Sequence, residues 1–253
     1  MFVKQQVHNS NRMKWFRFII IGLIVGILSI FWVFPQPFHI VYAKHFSFHQ
    51  LSDKIYSSEK LTKKKQRLLQ IQYGIASSRI SNFWGNKIGK SPVFYCNDVA
   101  IYRRLCQSLK GSGCSVITPF GSWIILNYNG MSEDVIAHEM CHDELSSRMG
   151  WWKSKTQLPK WLDEGLALQL DHRFVSSTDS IQRYIDYKTE LQQFSMGNQV
   201  NIPLENLQTD DEFFGGDTFY TQLAYLISAT EVARLISIKG KDELIQESID
   251  GKL

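Results

Sequence analysis

Two histidines lie four residues apart in the stretch DVIAHEMCHDEL, and a glutamate directly follows the first of them. On an α-helix, His138 and His142 are separated by about 400°, so both imidazoles leave one face with their roots about 6 Å apart. Two ring nitrogens placed in this way can bind one zinc ion. Glu139 is offset by about 100° and projects beside the metal, where its carboxylate can shuttle a proton from water to a leaving amine.

The motif needs corroboration, because H-E-x-x-H arises by chance in about one chain of this composition in a hundred. A third metal ligand elsewhere in the chain would provide it. Glu164 is the candidate: it follows His142 by twenty-two positions, in the apolar stretch WLDEGLALQL. Asp163 and Glu164, near the start of a helix, could instead be acids that complement the helix dipole. Beside an H-E-x-x-H motif, the metal-ligand interpretation is favoured.

Together the two stretches resemble the gluzincins, zinc peptidases with H-E-x-x-H on one helix and a glutamate ligand on the next. Residues 161–167 match all four fixed positions of W-x-x-E-G-x-A, the pattern of the peptidase MA-like branch that includes the aminopeptidase N type. The resemblance implies one Zn²⁺ ion on His138, His142 and Glu164, with an open position for water. It also implies that Glu139 is the general base.

Some members of this branch also show a stretch similar to IPLENL, followed by a helix with an early Tyr-x-Gln; here these are residues 202–207 and 220–222. The resemblance implies that Tyr220 donates its phenolic proton to the oxyanion of the reaction. Packing of Tyr220 on a helix is the alternative. The strand-like SWIILN looks like the edge strand on which such enzymes lay an extended substrate, and a buried central strand is the alternative.

The chain departs from the aminopeptidases in two ways. Their G-x-M-E-N motif, which clasps the free amine of a substrate, is replaced by YNGMSE, so exopeptidase action is not supported. The spacing between His142 and Glu164 exceeds the aminopeptidase value, so MGWWKSKTQLPK is interpreted as a local insertion. His172, eight positions past Glu164, is displaced by about two turns and is not expected to be a ligand.

An uncharged stretch near the N-terminus predicts a membrane anchor. Residues 18–34 carry no charge and follow a tail, residues 1–17, with four basic residues and no acid. As a helix they span roughly 25 Å, just enough to cross a bilayer, and the basic tail should stay in the cytoplasm. A signal peptide cleaved after VYA, residues 41–43, is the alternative. Either way the rest is exported, and we expect a single-pass inner-membrane protein whose catalytic domain is periplasmic or extracellular.

Charge excludes one class of partner. Subtracting the four positive charges of the tail from 28 Lys and Arg leaves 24, against 24 Asp and Glu, so the exported part is neutral and nucleic acid is not an expected partner. The basic run at residues 60–67 is interpreted as the solvated face of a helix, and contact with lipid headgroups is the alternative. The residues expected to look inward from this helix are Leu61, Leu68, Leu69 and Ile71.

Four cysteines in an exported chain permit disulfides. Cys96 ends a strand-like stretch, Cys106 lies late in a helix-like stretch, and Cys114 opens the next strand. If these elements alternate in direction, Cys96 is about 15 to 20 Å from the others, whereas bridged Cα atoms lie within about 7 Å. The preferred bridge is therefore Cys106–Cys114. Cys141 is interpreted as a small buried hydrophobe with a free thiol.

The predicted fold class is α+β: a small mixed sheet, then a helical part, in a thermolysin-like zincin domain behind a transmembrane helix. Residues 35–50 are expected to be a linker and residues 51–253 the peptidase domain. Helices begin at the N-cap Ser132 and at Pro159, and Gly150 ends the first of these. Further helices are expected at residues 52–79, 98–110, 180–194, 218–228 and 230–238, strands at 91–96 and within 114–129, and a long loop bordering the site at 196–217.

These observations predict a membrane-anchored zinc metallopeptidase that hydrolyses bonds in a peptide or protein substrate. A membrane-tethered binding module that keeps the zinc fold but cleaves nothing is the alternative, and the intact Glu139 argues against it. A structural zinc domain fits poorly, because such sites are usually closed by four protein ligands. Whether residues 35–73 form a tether, a lid or an inhibitory strap stays open.

Overall fold

A computed structural model describes residues 2–107, 111–197 and 202–252, and within them the fold is α+β with a small mixed sheet. The strands are β1 (His49–Ser52), β2 (Ile55–Ser57), β3 (Val93–Tyr95), β4 (Gly113–Thr118) and β5 (Gly121–Leu126). The helices are α1 (Phe2–Val33), α2 (Pro35–Phe46), α3 (Lys63–Trp84), α4 (Val99–Cys106), α5 (Glu133–Met149), α6 (Trp151–Thr156), α7 (Lys160–Leu168), α8 (Ser180–Phe194), α9 (Asp210–Phe214), α10 (Thr218–Lys239) and α11 (Lys241–Asp250).

The strands of the described residues form one sheet in the order β1-β2-β3-β5-β4. β3 pairs in parallel with both β2 and β5, whereas β1 and β4 are antiparallel to their neighbours. The expectation that SWIILN is the edge strand is wrong, because β5 lies between β3 and β4. Its end, Ile124–Leu126, is an unbroken buried apolar run, as is typical of a strand covered on both faces. The edge strand beside α5 is β4.

Helices cover both faces of the sheet, because successive strand side chains point in opposite directions. Val93 and Tyr95 pack with α3 and α5 in the main core, and Phe94 between them packs with α2 and α4 in a smaller one. The main core extends through α7 and α10 to α11. Helices α5 and α7, which carry the H-E-x-x-H and W-x-x-E-G-x-A motifs, therefore both belong to the larger core.

The first half of the chain differs from expectation in two places. Residues 35–46 of the expected linker form α2, whose Ile40 is fully buried against α4. The helix expected from Ser52 begins instead at Lys63, after the side chain of Thr62 caps it. The β1–β2 hairpin precedes it, turning at residues 53–54. Residues 49–57 form a hairpin rather than a helix because β2 pairs with the distant strand β3. The local sequence pattern contains no information about that pairing.

The basic run at the start of α3 is exposed, as expected, but the inward face is only partly as predicted. Leu61 and Leu69 are buried, whereas Leu68 and Ile71 are exposed. The buried positions of this helix continue with Ala76 and Ile80, a spacing of seven and four residues that follows a single face. Leu68 and Ile71 lie off that face.

The predicted disulfide is present: Cys106 and Cys114 are bridged, with Cα atoms 6.1 Å apart. Cys96 and Cys141 are free and buried, which also agrees with the prediction. The bridge ties the end of α4 to the start of the edge strand β4. The end of the helix expected at 98–110 lies partly outside the described residues, because 108–110 are not among them.

The second half is helical, as expected. Ser132 caps α5 by accepting from the N–H of Asp134, and Gly150 ends that helix with a φ of +81°. Residues 180–194 form α8 as predicted. The two helices expected at 218–228 and 230–238 are one helix, α10, and the loop at 196–217 contains α9 and a short 3₁₀ turn, Leu204–Asn206.

The N-terminal helix is long and apolar enough to cross a membrane. Its stretch Trp15–Val33 has a mean hydropathy of 2.5 and none of it is buried in the fold. A signal sequence near an N-terminus meets the same description. Length and composition therefore allow a span without deciding between the two.

Candidate metal centre

Helix α5 presents both histidines of the H-E-x-x-H motif on one buried face. His138 and His142 are 6% and 8% exposed, and their ring centroids are 5.0 Å apart. This agrees with the helical spacing expected for residues four apart. The helix lies against β4 on one side and α7 on the other, so its motif faces the space between them.

Helix α7 brings Glu164 to the same point. Its Oε2 lies 3.2 Å from Nε2 of His138 and 3.7 Å from Nε2 of His142. One ligand atom from each of the three residues lies within 4.8 Å of the other two. The buried group His138, His142 and Glu164 could therefore hold a metal ion, and two imidazoles with one carboxylate are a donor set that suits zinc.

Carboxylates behind the histidines fix which ring nitrogens face the centre. Oδ1 of Asp163 lies 2.6 Å from Nδ1 of His142, and Oδ2 of Asp171 lies 3.5 Å from Nδ1 of His138. Both Nε2 atoms are thereby left for a metal, an arrangement that orients ligating histidines in many metal sites. The contact of Asp163 is a short hydrogen bond, whereas at 3.5 Å Asp171 makes only an ion-pair contact and Nδ1 of His138 has no hydrogen-bond partner among the described residues.

The sequence pattern singles out Asp163 only as an acid near the start of a helix, and it does not single out Asp171. Asp171 follows Glu164 by seven residues, two helical turns, and that spacing places it on the same side of the chain. Helix α7 ends at Leu168, so a turn rather than continued helix carries Asp171 to His138. Asp171 is fully buried and also accepts from the guanidinium of Arg173.

Lys160 balances the acids at the start of α7. Its Nζ lies 2.7 Å from Oε1 of Glu164, 3.1 Å from Asp163 and 3.3 Å from Asp210. Burial disfavours its charge, but these carboxylates outweigh burial and raise the pKa of Lys160. Lys160 thus holds one oxygen of Glu164 and leaves the other facing the histidines.

The carboxylates also act on the histidines. Burial lowers the pKa of a histidine, but Asp171 and Glu164 outweigh it at His138 and raise its pKa to about 10. At His142, Asp163 and Glu164 likewise raise the pKa against the effect of burial. In the metal-free chain the ring of His138 therefore favours its protonated form at neutral pH.

Glu139 lies beside this group and is held by the edge strand. The hydroxyl of Ser115 on β4 donates to Oε2 of Glu139 at 2.9 Å and lies 2.8 Å from its backbone carbonyl. Gly113 leaves the room that this carboxylate occupies, because a Cβ there would lie 2.9 Å from Cγ and 3.0 Å from Oε1 of Glu139. Sequence reasoning missed both contacts.

An open cavity of about 450 Å³ gives access to the centre. Its lining includes both histidines, Glu139, Glu164 and residues of β4. An adjoining cavity of about 290 Å³ shares His138 and Glu139 with it. Tyr225 on α10 lines both cavities, and its ring centroid lies 6.4 Å from that of His138.

Tyr220 is not brought to the centre. Its hydroxyl donates to the carbonyl of Glu212 at 3.1 Å, and it is not among the described residues that line either cavity. Tyr225, one and a half turns further along α10, is the tyrosine at the site. It lies in an apolar run, LAYLIS, which gives no sign of a functional role. Burial and then the charge of Glu164 raise the pKa of Tyr225, so its phenol keeps its proton.

The loop expected to border the site does so. The N–H groups of Lys160 and Trp161, at the start of α7, donate to the carbonyls of Gln208 and Leu207. This contact satisfies amides that the helix itself cannot pair. It also places Asp210 at the rim of the metal cavity.

His172, which was not expected to be a ligand, is not among the described residues that line the two cavities at the metal group. It lines a separate cavity of about 500 Å³ with Arg79 and Arg183. Those guanidinium groups are already engaged, Arg79 with Asp134 and Arg183 with backbone carbonyls such as that of Leu168. The larger cavity therefore holds no comparable cluster of metal ligands among the described residues.

No family model matches the chain, and neither a curated protein nor a solved structure matches it. The resemblance to the gluzincins therefore depends on the two motifs and on the geometry that brings their residues together.

Proposed function

We propose that this chain is a membrane-anchored zinc metallopeptidase of the gluzincin kind. The observation that carries the proposal is the convergence of His138, His142 and Glu164 in one buried group, with Glu139 beside it at the wall of an open cavity. A closed structural site would have no use for an adjacent carboxylate or an access route. Residues 18–34 would hold the domain at the membrane.

The donor atoms present fit one zinc ion. Nε2 of His138, Nε2 of His142 and Oε2 of Glu164 would hold it, since the Nδ1 atoms face Asp171 and Asp163. Bound there, zinc would supply a Lewis acid for the substrate carbonyl and for water. The remaining steps belong to the side chains of this chain.

Glu139 would take the proton of the attacking water and deliver it to the leaving nitrogen of the peptide. The hydroxyl of Ser115 donates to one oxygen of this carboxylate, which fixes its orientation toward the cavity. Tyr225 would donate its phenolic hydrogen to the oxygen of the scissile carbonyl as negative charge develops there. Its raised pKa keeps that hydrogen available at neutral pH.

The substrate would lie along β4. This strand is one of the two edges of the sheet, and Gly113, Ser115 and Ile117 on it line the cavity at the candidate metal group. An extended peptide can add to such an edge through backbone hydrogen bonds. That placement brings a peptide bond near Ser115 close to Glu139.

The test compares two substitutions in the full chain, purified in detergent. Glu139→Gln keeps all three ligands, so zinc per protein should stay at one while cleavage of an internally quenched peptide library falls by orders of magnitude. Glu164→Ala removes a ligand oxygen, so zinc affinity itself should fall steeply. Glu133→Gln, on the same helix but outside the metal group, is the matched control and should change neither.

Two outcomes would contradict the proposal in different ways. If Glu164→Ala holds zinc as tightly as the unaltered chain, the third ligand lies elsewhere and the gluzincin assignment fails. If the unaltered chain binds zinc but cleaves nothing in a broad library, the protein is the tethered binding module instead.

A further inference from the structure

Three aromatic residues from two elements lie near the end of the apolar N-terminal helix. Phe120 forms the turn between β4 and β5, and Trp151 and Trp152 begin α6; we call these three residues the aromatic patch. The ring of Phe34, directly after α1, lies 5.7 Å from that of Phe120 and 6.0 Å from that of Trp151. Phe120 is 56% exposed and Trp152 is 65% exposed.

Exposed aromatic residues are common singly, but here they cluster where the chain would leave a membrane. Tryptophan prefers the boundary between hydrocarbon and water, because its ring is apolar and its N–H is polar. Helix α6 reads WWKSKT, and its exposed Lys153 and Lys155 follow the tryptophans. Cations beside interfacial aromatics suit the phosphates of lipid headgroups.

We propose that the aromatic patch docks the domain on the lipid surface, with the headgroup layer as its partner. The inference depends on the proposed membrane span, since residues 18–34 would bring the patch to the bilayer. The proposal gives a role to α6, the segment between α5 and α7, for which no catalytic step has been proposed. Phe34, at the exported end of the span, fixes where the patch meets the lipid.

Docking would hold the metal cleft close to the membrane. β4 runs from Ser115, which contacts Glu139, to the turn at Phe120, and five extended residues cover at most about 17 Å. Lys155 of α6 lines the metal cavity as well. A polypeptide leaving the bilayer could therefore reach the cleft with about five extended residues. Segments of other proteins close to the membrane are the substrates that this placement favours.

The test measures how deeply the aromatic patch lies relative to the lipid headgroups. The sample is the full chain in bilayer discs of phosphatidylcholine and phosphatidylglycerol. Trp152→Cys and Phe120→Cys each receive an environment-sensitive fluorophore, while the native free thiols Cys96 and Cys141 are fully buried. Ile181→Cys on α8 is the matched control, because Ile181 is 60% exposed. Lipids carrying a spin label at the headgroup should quench most of the fluorescence at 152 and 120 and little at 181.

Each other outcome overturns the inference. Equal, weak quenching at all three positions in discs that retain the protein would show that the patch faces water. A second outcome is a fluorophore at position 152 that is shielded from water but not quenched by the lipid label. If the fluorophores of two copies then lie close to each other, the patch is a contact between two copies of the chain. A mature chain that lacks residues 1–43 and does not enter discs would refute the membrane span as well, whereas zinc content and peptide cleavage would still test the metal site separately.

Discussion

Substitution of Gly165 by alanine should disturb the metal centre through helix packing alone. Gly165 directly follows Glu164 on α7 and faces α10. A Cβ at this position would lie 2.5 Å from Cγ2 of Val232 and 2.7 Å from the carbonyl oxygen of Ser228. Ordinary contacts begin at 3.4 Å, so α7 and α10 would have to separate by up to about 0.9 Å.

That displacement is large compared with what a metal site tolerates, since ligand distances are held within about 0.2 Å. Glu164 would move with the backbone next to it, while both histidines stay on α5. We therefore expect Gly165→Ala to lower zinc affinity by about 100-fold or more, at least as much as loss of an orienting partner does. Overpacking should also lower the free energy of unfolding by about 1–3 kcal/mol.

The assay is zinc affinity by competition with a chelator, together with thermal unfolding of the metal-free chain. Gly74→Ala is the control: Gly74 lies within α3, a Cβ there meets nothing within 4 Å, and alanine should stabilise the helix by up to about 1 kcal/mol. Adding Val232→Ala to Gly165→Ala removes the closer contact but leaves the carbonyl of Ser228, so recovery should be partial. Zinc binding by Gly165→Ala as tight as that of the unaltered chain would refute the reasoning.

Three further substitutions or conditions test the surroundings of the ligands. Asp163→Asn should lower zinc affinity by about 10- to 100-fold, and by more than Asp171→Asn does, because its contact with the histidine ring is 2.6 Å rather than 3.5 Å; equal losses in chelator competition would contradict this. Gly113→Ala should displace Glu139 but no ligand, so peptide cleavage should fall while zinc per protein stays constant. Because the pKa of His138 is raised to about 10 in the metal-free chain and zinc must displace that proton, zinc affinity should rise with pH from neutrality and level off above about 10; a flat profile in buffered chelator would exclude the effect.

The parts of the site that follow from local spacing could be predicted from the sequence. His138 and His142 share a face because they are one helical turn apart, and the convergence of Glu164 with them is present in the structure. The bridge between Cys106 and Cys114 is also present, and it was predicted because a helix separates Cys96 from the other two cysteines. In each case, residues close in sequence, or a strong motif, decide the geometry.

The parts that depend on distant contacts could not be predicted. Ser115 reaches Glu139 from a strand whose place at the sheet edge is set by pairing with β5. Tyr225 rather than Tyr220 reaches the cavity because of the way α10 packs on α7, with Gly165 at the contact. Strand order and the rotation of a buried helix are properties of the whole fold, and no short pattern contains them.

The charges around the candidate metal centre predict a fold that does not require a bound ion. Asp163, Glu164 and Asp171 are buried together, and uncompensated buried carboxylates would be strongly destabilising. In the metal-free chain His138, whose pKa is raised to about 10, and Lys160 provide opposing charge. A divalent ion that displaces the proton of His138 brings two positive charges and removes one, so the net buried charge changes by a single unit. We therefore expect the metal-free chain to stay folded, unlike a small domain that folds only around its metal.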